Sequence, residues 1–140
     1  MTARALSLEP STAPPWRVRP VALCVVGVAR LLAKLPPRRL RQVMETARRG
    51  ARPANEAETL QARNAVVAMS VPCAGPRCLQ RSIATALLCR TRGAWPDWVT
   101  GVRTQPFRAH AWVEADGKPV GESTDEVRHF HILIRVPGRR

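Results

Sequence analysis

The hydrophobic pattern of this chain changes period once. Before Trp98, apolar residues recur at helical spacing; from Trp98 onward they alternate with polar ones. A chain with its helices first and its strands afterwards lacks the alternating order that builds a parallel sheet. It is restricted to an α+β domain, with helices packed beside a small antiparallel sheet. At 140 residues it is long enough to bury a core without staples.

Pro20 opens a first predicted helix running to Leu35, and Pro36-Pro37 break it and start a second. In the second, Leu40, Val43, Met44 and Ala47 form one apolar stripe against an arginine-rich face, and Gly50 stops it. Asn55 starts a third helix to Met69, with Glu58 at capping-box spacing and Glu56 also suiting the positive helix end. Pro72, Gly75 and Pro76 form a loop delivering Cys78 to a fourth helix. Its expected core face is Leu79, Ile83, Ala86 and Leu87; Arg90, Arg92 and Gly93 mark its end. Strands are expected at 98–103, 109–114, 118–122 and 128–136. The organisation is then a Pro-rich irregular segment over 1–19 and one domain over 20–140. That domain is helical over 20–70 and carries the fourth helix and the sheet over 71–140.

Chemistry concentrates at Cys78 and His110. A thiol attacks as the thiolate, and a helix start with a nearby imidazolium lowers its pKa. Cys78 falls in the first turn of its helix, where unpaired N–H groups favour an anion; its own backbone N–H is a candidate oxyanion donor. Free cysteines are also common core residues, so Cys78 alone decides little. His110 sits in a strand-like run, with Trp112 two residues on and on the same face, placed to shield a thiol–imidazole pair from water.

Asp116-Gly117 marks the following hairpin turn. A three-residue loop, with Gly117 in a G1 bulge, pairs Glu114 with Lys118 and puts Glu122 directly opposite His110. A two-residue loop makes His110 face Ser123 and offsets Glu122. In the first register Glu122 orients the imidazole, fixing its tautomer and leaving the other nitrogen for the thiol. Asp125 is an alternative acid, and Asp116 is explained by the turn.

The remaining candidates read as structural. His129 and His131 belong on the polar face of the last strand, a His-x-His metal pair being the alternative. Cys89 reads as core. Cys73, in the loop before Cys78, is open between bystander, redox partner and half of a metal site. The four cysteines form no repeated metal pattern, no P-loop or other cofactor motif is present, and no metal or cofactor is expected. With no convincing signal peptide, the expectation is a cytoplasmic protein with reduced thiols. The apolar run 21–29 is too short to span a bilayer.

The formal charge is +13, nearly all from arginine. It fits either an anionic partner or a set of solvated helix faces. A basic nucleic-acid-binding module is the competing function class. Scarce aromatics and the lack of a recognised binding motif argue against it, so no nucleic-acid partner is expected. Arg38, Arg39, Arg41, Arg48 and Arg49 are candidates for docking an acidic peptide or protein, with a solvated basic face as the alternative.

Taken together, Cys78-Leu79-Gln80-Arg81-Ser82, Gly101-Val102-Arg103, Pro106-Phe107 and Ala109-His110-Ala111-Trp112-Val113-Glu114 resemble the transglutaminase-like leader peptidases of lasso-peptide biosynthesis. The match covers about residues 75–123 and more loosely 16–50. The resemblance implies a transglutaminase/papain-like fold and a cysteine peptidase that removes the leader from a lasso precursor. It implies a Cys78 nucleophile and a His110 base. The third member is usually Asp, and here the corresponding position holds Glu122. It also implies the split form, working with a separate small leader-recognition protein and an ATP-dependent, asparagine-synthetase-like macrocyclase. Acyl transfer on the same fold is the alternative chemistry.

Overall fold

A computed structural model of the chain describes residues 18–69 and 78–138. Helix α1 (Val18–Leu32) buries Ala22, Val25, Val26 and Ala29, and residues 33–36 separate it from α2 (Pro37–Arg48). On the expected α2 stripe, Leu40 and Met44 are buried, Ala47 is half-buried, and Val43 lies at the exposed edge. Strand β1 (Arg52–Pro53) leads into α3 (Glu56–Met69), whose capping box is reciprocal. The Glu58 N–H donates to Asn55 Oδ1 at 2.8 Å, and the Asn55 N–H donates to Glu58 Oε1 at 3.0 Å.

Helix α4 (Cys78–Arg90) was expected to bury one face. Instead Ser82, Ala84, Thr85, Leu88 and Cys89 are buried along with Ile83 and Ala86, while Leu79 and Leu87 are only half-buried. The cause is packing from several sides: α1 and α3 lie against α4, and the sheet covers it as well. Small residues let these neighbours approach. The two buried hydroxyls donate back along the helix, Ser82 to the Leu79 carbonyl and Thr85 to the Arg81 carbonyl.

Strand β2 (Ala94–Trp95) pairs in parallel with β1, a contact too short for any periodicity to reveal. Four strands form the antiparallel sheet: β3 (Asp97–Thr104), β4 (Phe107–Ala115), β5 (Lys118–Pro119) and β6 (His131–Val136), in the order β5-β4-β3-β6. The short helix α5 (Thr124–Val127) lies between β5 and β6. The core is continuous from α1–α4 to the sheet, with Trp95, Trp98, Met44, Ile83 and Leu88 fully buried. Trp98 Nε1–H donates to Ser82 Oγ at 3.0 Å, which pins β3 to α4 one turn beyond Cys78. Trp95 Nε1–H donates to the Val136 carbonyl at 3.1 Å. Each ring thus buries its apolar body and satisfies its one donor.

Two expected strands are shorter than the sequence pattern implies. The strand expected over 118–122 ends at Pro119, although the Val120 N–H still donates to the Val113 carbonyl at 2.9 Å. The strand expected from 128 begins at His131, because α5 and its exit turn occupy the preceding residues. His129 therefore sits in that turn, donating from Nδ1 to the Asp125 carbonyl at 2.8 Å, and not on a strand face.

Candidate active site

Cys78 is the first residue of α4, and His110 lies on β4, the strand packed across that helix. The packing sets the thiol beside the imidazole and the backbone N–H of Ala111, close enough for both to lower its pKa. His110 Nε2 is 3.1 Å from Glu122 Oε1, which leaves Nδ1 for Cys78. Trp112 stacks on the imidazole with ring centroids 5.5 Å apart, and Phe130 packs against it at the same separation. Trp112, Phe130, Val99 and Val127 form a small apolar cluster beneath the pair.

The three residues meet, but not through the expected register. Glu114 pairs with Pro119 and Ala115 with Lys118, so the hairpin has a two-residue loop and no G1 bulge. Asp116 and Gly117 both have positive φ, 55° and 79°, the requirement of a type I′ turn. Asp116 also accepts the Glu56 N–H at 3.0 Å, tying the hairpin tip to the start of α3. Continued, this register would have brought Ser123 opposite His110. Instead Gly121, at φ 76°, turns the chain off the sheet edge, and Glu122 reaches the imidazole from that turn.

Glu122 is itself held by cations. Its Oε2 is 3.8 Å from Arg81 Nη2, and both side chains are about nine-tenths buried, at 13% and 14% exposure. Arg63 of α3 adds a second positive charge. Burial alone would raise the Glu122 carboxyl; the His110 hydrogen bond and the His110, Arg63 and Arg81 charges outweigh it and hold it below its ordinary range. Burial likewise pushes the Cys78 thiol up. The His110 hydrogen bond, the Ala111 N–H and the His110 and Arg81 charges together pull it below its usual value. His110 is raised to about 9, first by its bond to Cys78 and then by its bond to Glu122. All three shifts run in the direction of a thiolate–imidazolium–carboxylate chain.

Two cavities open onto this pair. One, of about 500 Å³, is lined by Cys78, His110 and Glu122 together with Arg81, Arg103 and Arg108. The other, of about 260 Å³, is apolar and runs between Leu35, Leu40 and Leu79 on one side and Val102, Leu133 and Ile134 on the other. The reactive atoms lie where a charged cavity meets a greasy one.

Residues 22–135 match the model of the transglutaminase-like superfamily. The chain belongs to that superfamily. Neither the curated proteins nor the solved structures returned a match. Transglutaminase-like proteins are usually cysteine-type enzymes, and the fold is consistent with cysteine protease or acyltransferase activity. Among the described residues no helix is long and apolar enough to cross a membrane.

The transglutaminase-like frame also shows where the other sequence candidates lie. Arg38, Arg39 and Arg41 are exposed on α2, where Arg41 pairs with Glu45 at 3.2 Å. Arg48 is half-buried, and exposed Arg49 caps the helix. None lines either cavity, although α2 itself walls the apolar one through Pro37 and Leu40. Cys89 is buried, its thiol pushed up to about 12 by burial, as a core residue should be. His131 and Asp125 are exposed. Cys73 lies outside the described residues, as do residues 1–17 and the loop preceding Cys78. The sequence reading missed Arg63, Arg81, Arg103, Arg108 and Phe130. Arg81 was within reach, because it stands one turn beyond Cys78 on the same helix. Arg63 gave no local signal, since only the packing of α3 brings it near Glu122.

Proposed function

We propose that this protein is a cytoplasmic cysteine peptidase that removes the leader from a lasso-peptide precursor, with Cys78 as nucleophile, His110 as acid and base, and Glu122 as the residue that orients the imidazole. The observation that carries the reading is the unbroken chain of contacts from the Cys78 thiol through His110 to the Glu122 carboxylate. It is joined by the motifs around Cys78 and His110, which resemble those of the leader peptidases.

The Cys78 thiolate attacks the scissile carbonyl carbon, forming a C–S bond while the carbonyl electron pair moves to oxygen. The backbone N–H of Cys78, without an intrahelical acceptor at the helix start, donates to that oxyanion. Collapse breaks the C–N bond, and the proton on His110 Nδ1 passes to the leaving amine, freeing the N-terminus of the core peptide. A water molecule then gives its proton to the neutral imidazole and attacks the thioester. The leader leaves as a free acid and Cys78 returns as thiolate. Throughout, Glu122 accepts from Nε2–H and stabilises the cationic ring. A separate recognition protein presents the leader, docked on the Arg38, Arg39, Arg41, Arg48 and Arg49 region, and the ATP-dependent macrocyclase takes the freed core.

The test is reconstitution. The chain, a lasso precursor and its recognition protein are mixed and the products weighed by mass spectrometry. The expected products are core peptide and leader acid, both lost in Cys78→Ala. Robust leader release by Cys78→Ala would overturn the nucleophile. An amine adduct in place of the leader acid would make the reaction acyl transfer.

A further inference from the structure

The larger cavity contains a pair of cations that the reaction above does not use. Arg103 on β3 and Arg108 on β4 are direct cross-strand partners. Like charges facing each other across a strand pair oppose sheet formation. Among the described residues neither arginine makes an ion pair with a carboxylate, although Glu126 lines the same cavity. Arg103 Nε is buried without a hydrogen-bond partner. Its guanidinium lies over the Phe130 ring at 5.7 Å, and that ring packs on His110. Counting charges around the cavity, Arg81, Arg103, Arg108 and protonated His110 face Glu122 and Glu126, and Glu122 is already engaged by His110 and Arg81. The cavity is therefore positive at the Arg103–Arg108 end.

We infer that Arg103 and Arg108 form a subsite for a carboxylate on the peptide substrate, a side chain of Asp or Glu close to the bond that is cut. The inference rests on reading Cys78 as a nucleophile toward peptides. A planar guanidinium placed over an aromatic ring offers parallel N–H donors that match a carboxylate's two oxygens. The occupant must be substrate, because the same cavity wall includes Cys78 and His110. An acidic side chain bound here relieves the repulsion between the two arginines. A carboxamide of the same shape does not.

Two thiol-directed probes test this without any cleavage assay: iodoacetyl-glutamic acid amide and iodoacetyl-glutamine amide. Their rates of Cys78 alkylation, read by peptide mass, are divided by the rates with free cysteine. The wild-type protein is expected to favour the acid probe by about tenfold, the scale of one charge-assisted hydrogen bond. In Arg103→Gln and in Arg108→Gln that preference should collapse toward one, and Arg108→Lys should restore part of it. Arg108 is exposed on its strand, so its variants keep the test open if Arg103→Gln does not fold. Equal corrected rates in the wild-type protein, or a preference untouched by both glutamine variants, would overturn the subsite. Failure of both probes to label Cys78 would instead sink the thiol-enzyme reading beneath it.

Discussion

Glu122 does two things for the imidazole: it fixes which nitrogen faces the thiol, and it keeps the ring charged. Glu122→Gln retains a hydrogen-bond acceptor but removes the charge. The raised His110 value should then fall from about 9, so the alkaline limb of the rate profile moves to lower pH. The thiol, losing part of its cationic partner, should titrate higher, so the acid limb moves up. The active window narrows from both sides, and peak kcat drops by about ten- to a hundredfold, within the range for disturbed acid–base catalysis. A pH–rate profile of the variant checks this; unchanged limbs would mean that Glu122 does not govern the ring. His110→Ala should cost about a hundredfold or more. The stability signs follow from the same shifts. The His110 contribution is complete below its ordinary 6.5 and lost as pH rises through about 9. The Glu122 contribution is present above its ordinary 4.5 and lost as pH falls through its depressed folded value.

At the scale of elements, the turn after β5 positions the acid. Gly121 has φ 76°, and a Cβ there would come within about 2.4 Å of the Arg63 side chain. Gly121→Ala should therefore lower activity more than stability. A strained residue costs about 1–3 kcal/mol, and the adjustment that relieves it moves Glu122 or Arg63. The comparison is kcat against thermal midpoint, and a variant with full kcat would show that the turn does not hold the acid. Asn55→Ala offers the contrast. It removes a reciprocal cap far from the thiol and should cost about 1 kcal/mol of stability, read from a denaturant midpoint, with little change in kcat.

These elements also show what could be read beforehand. The α3 capping box and the α2 stripe depend on neighbours in sequence, and both were legible. So was the pairing of His110 with Glu122, but by the wrong route: the G1-bulge register placed them on facing strands, whereas Asp116-Gly117 forms a two-residue turn. Asp-Gly at positive φ was the available signal, and it pointed to the loop that sets Glu122 off the strand. The near-complete burial of α4 was not legible, because the number of neighbours packed on a helix is a tertiary fact. The clustering of Arg63, Arg81, Arg103 and Arg108 escaped for the same reason: residues distant in sequence converge only once α3, α4 and the sheet are assembled.

For the whole molecule, two groups of arginines among the described residues matter to the reaction, an outer set on α2 and an inner set around the cavity. The outer arginines are largely solvated and should act through long-range attraction. If they dock the recognition protein, affinity should fall steeply between low and physiological salt, while alkylation of Cys78 by a small neutral reagent changes little. Salt-insensitive association would assign docking to apolar contacts. The inner set works at short range in a half-buried site, where Arg81 and Arg63 fix a carboxylate, the carboxylate fixes an imidazole and the imidazole ionises a thiol. That sequence of charges is the central claim, and it can be measured in the isolated protein. The rate of Cys78 alkylation by iodoacetamide should show an inflection below the ordinary thiol value of 9.0 and a second near about 9, where His110 loses its proton. A single inflection at the ordinary thiol value would contradict it.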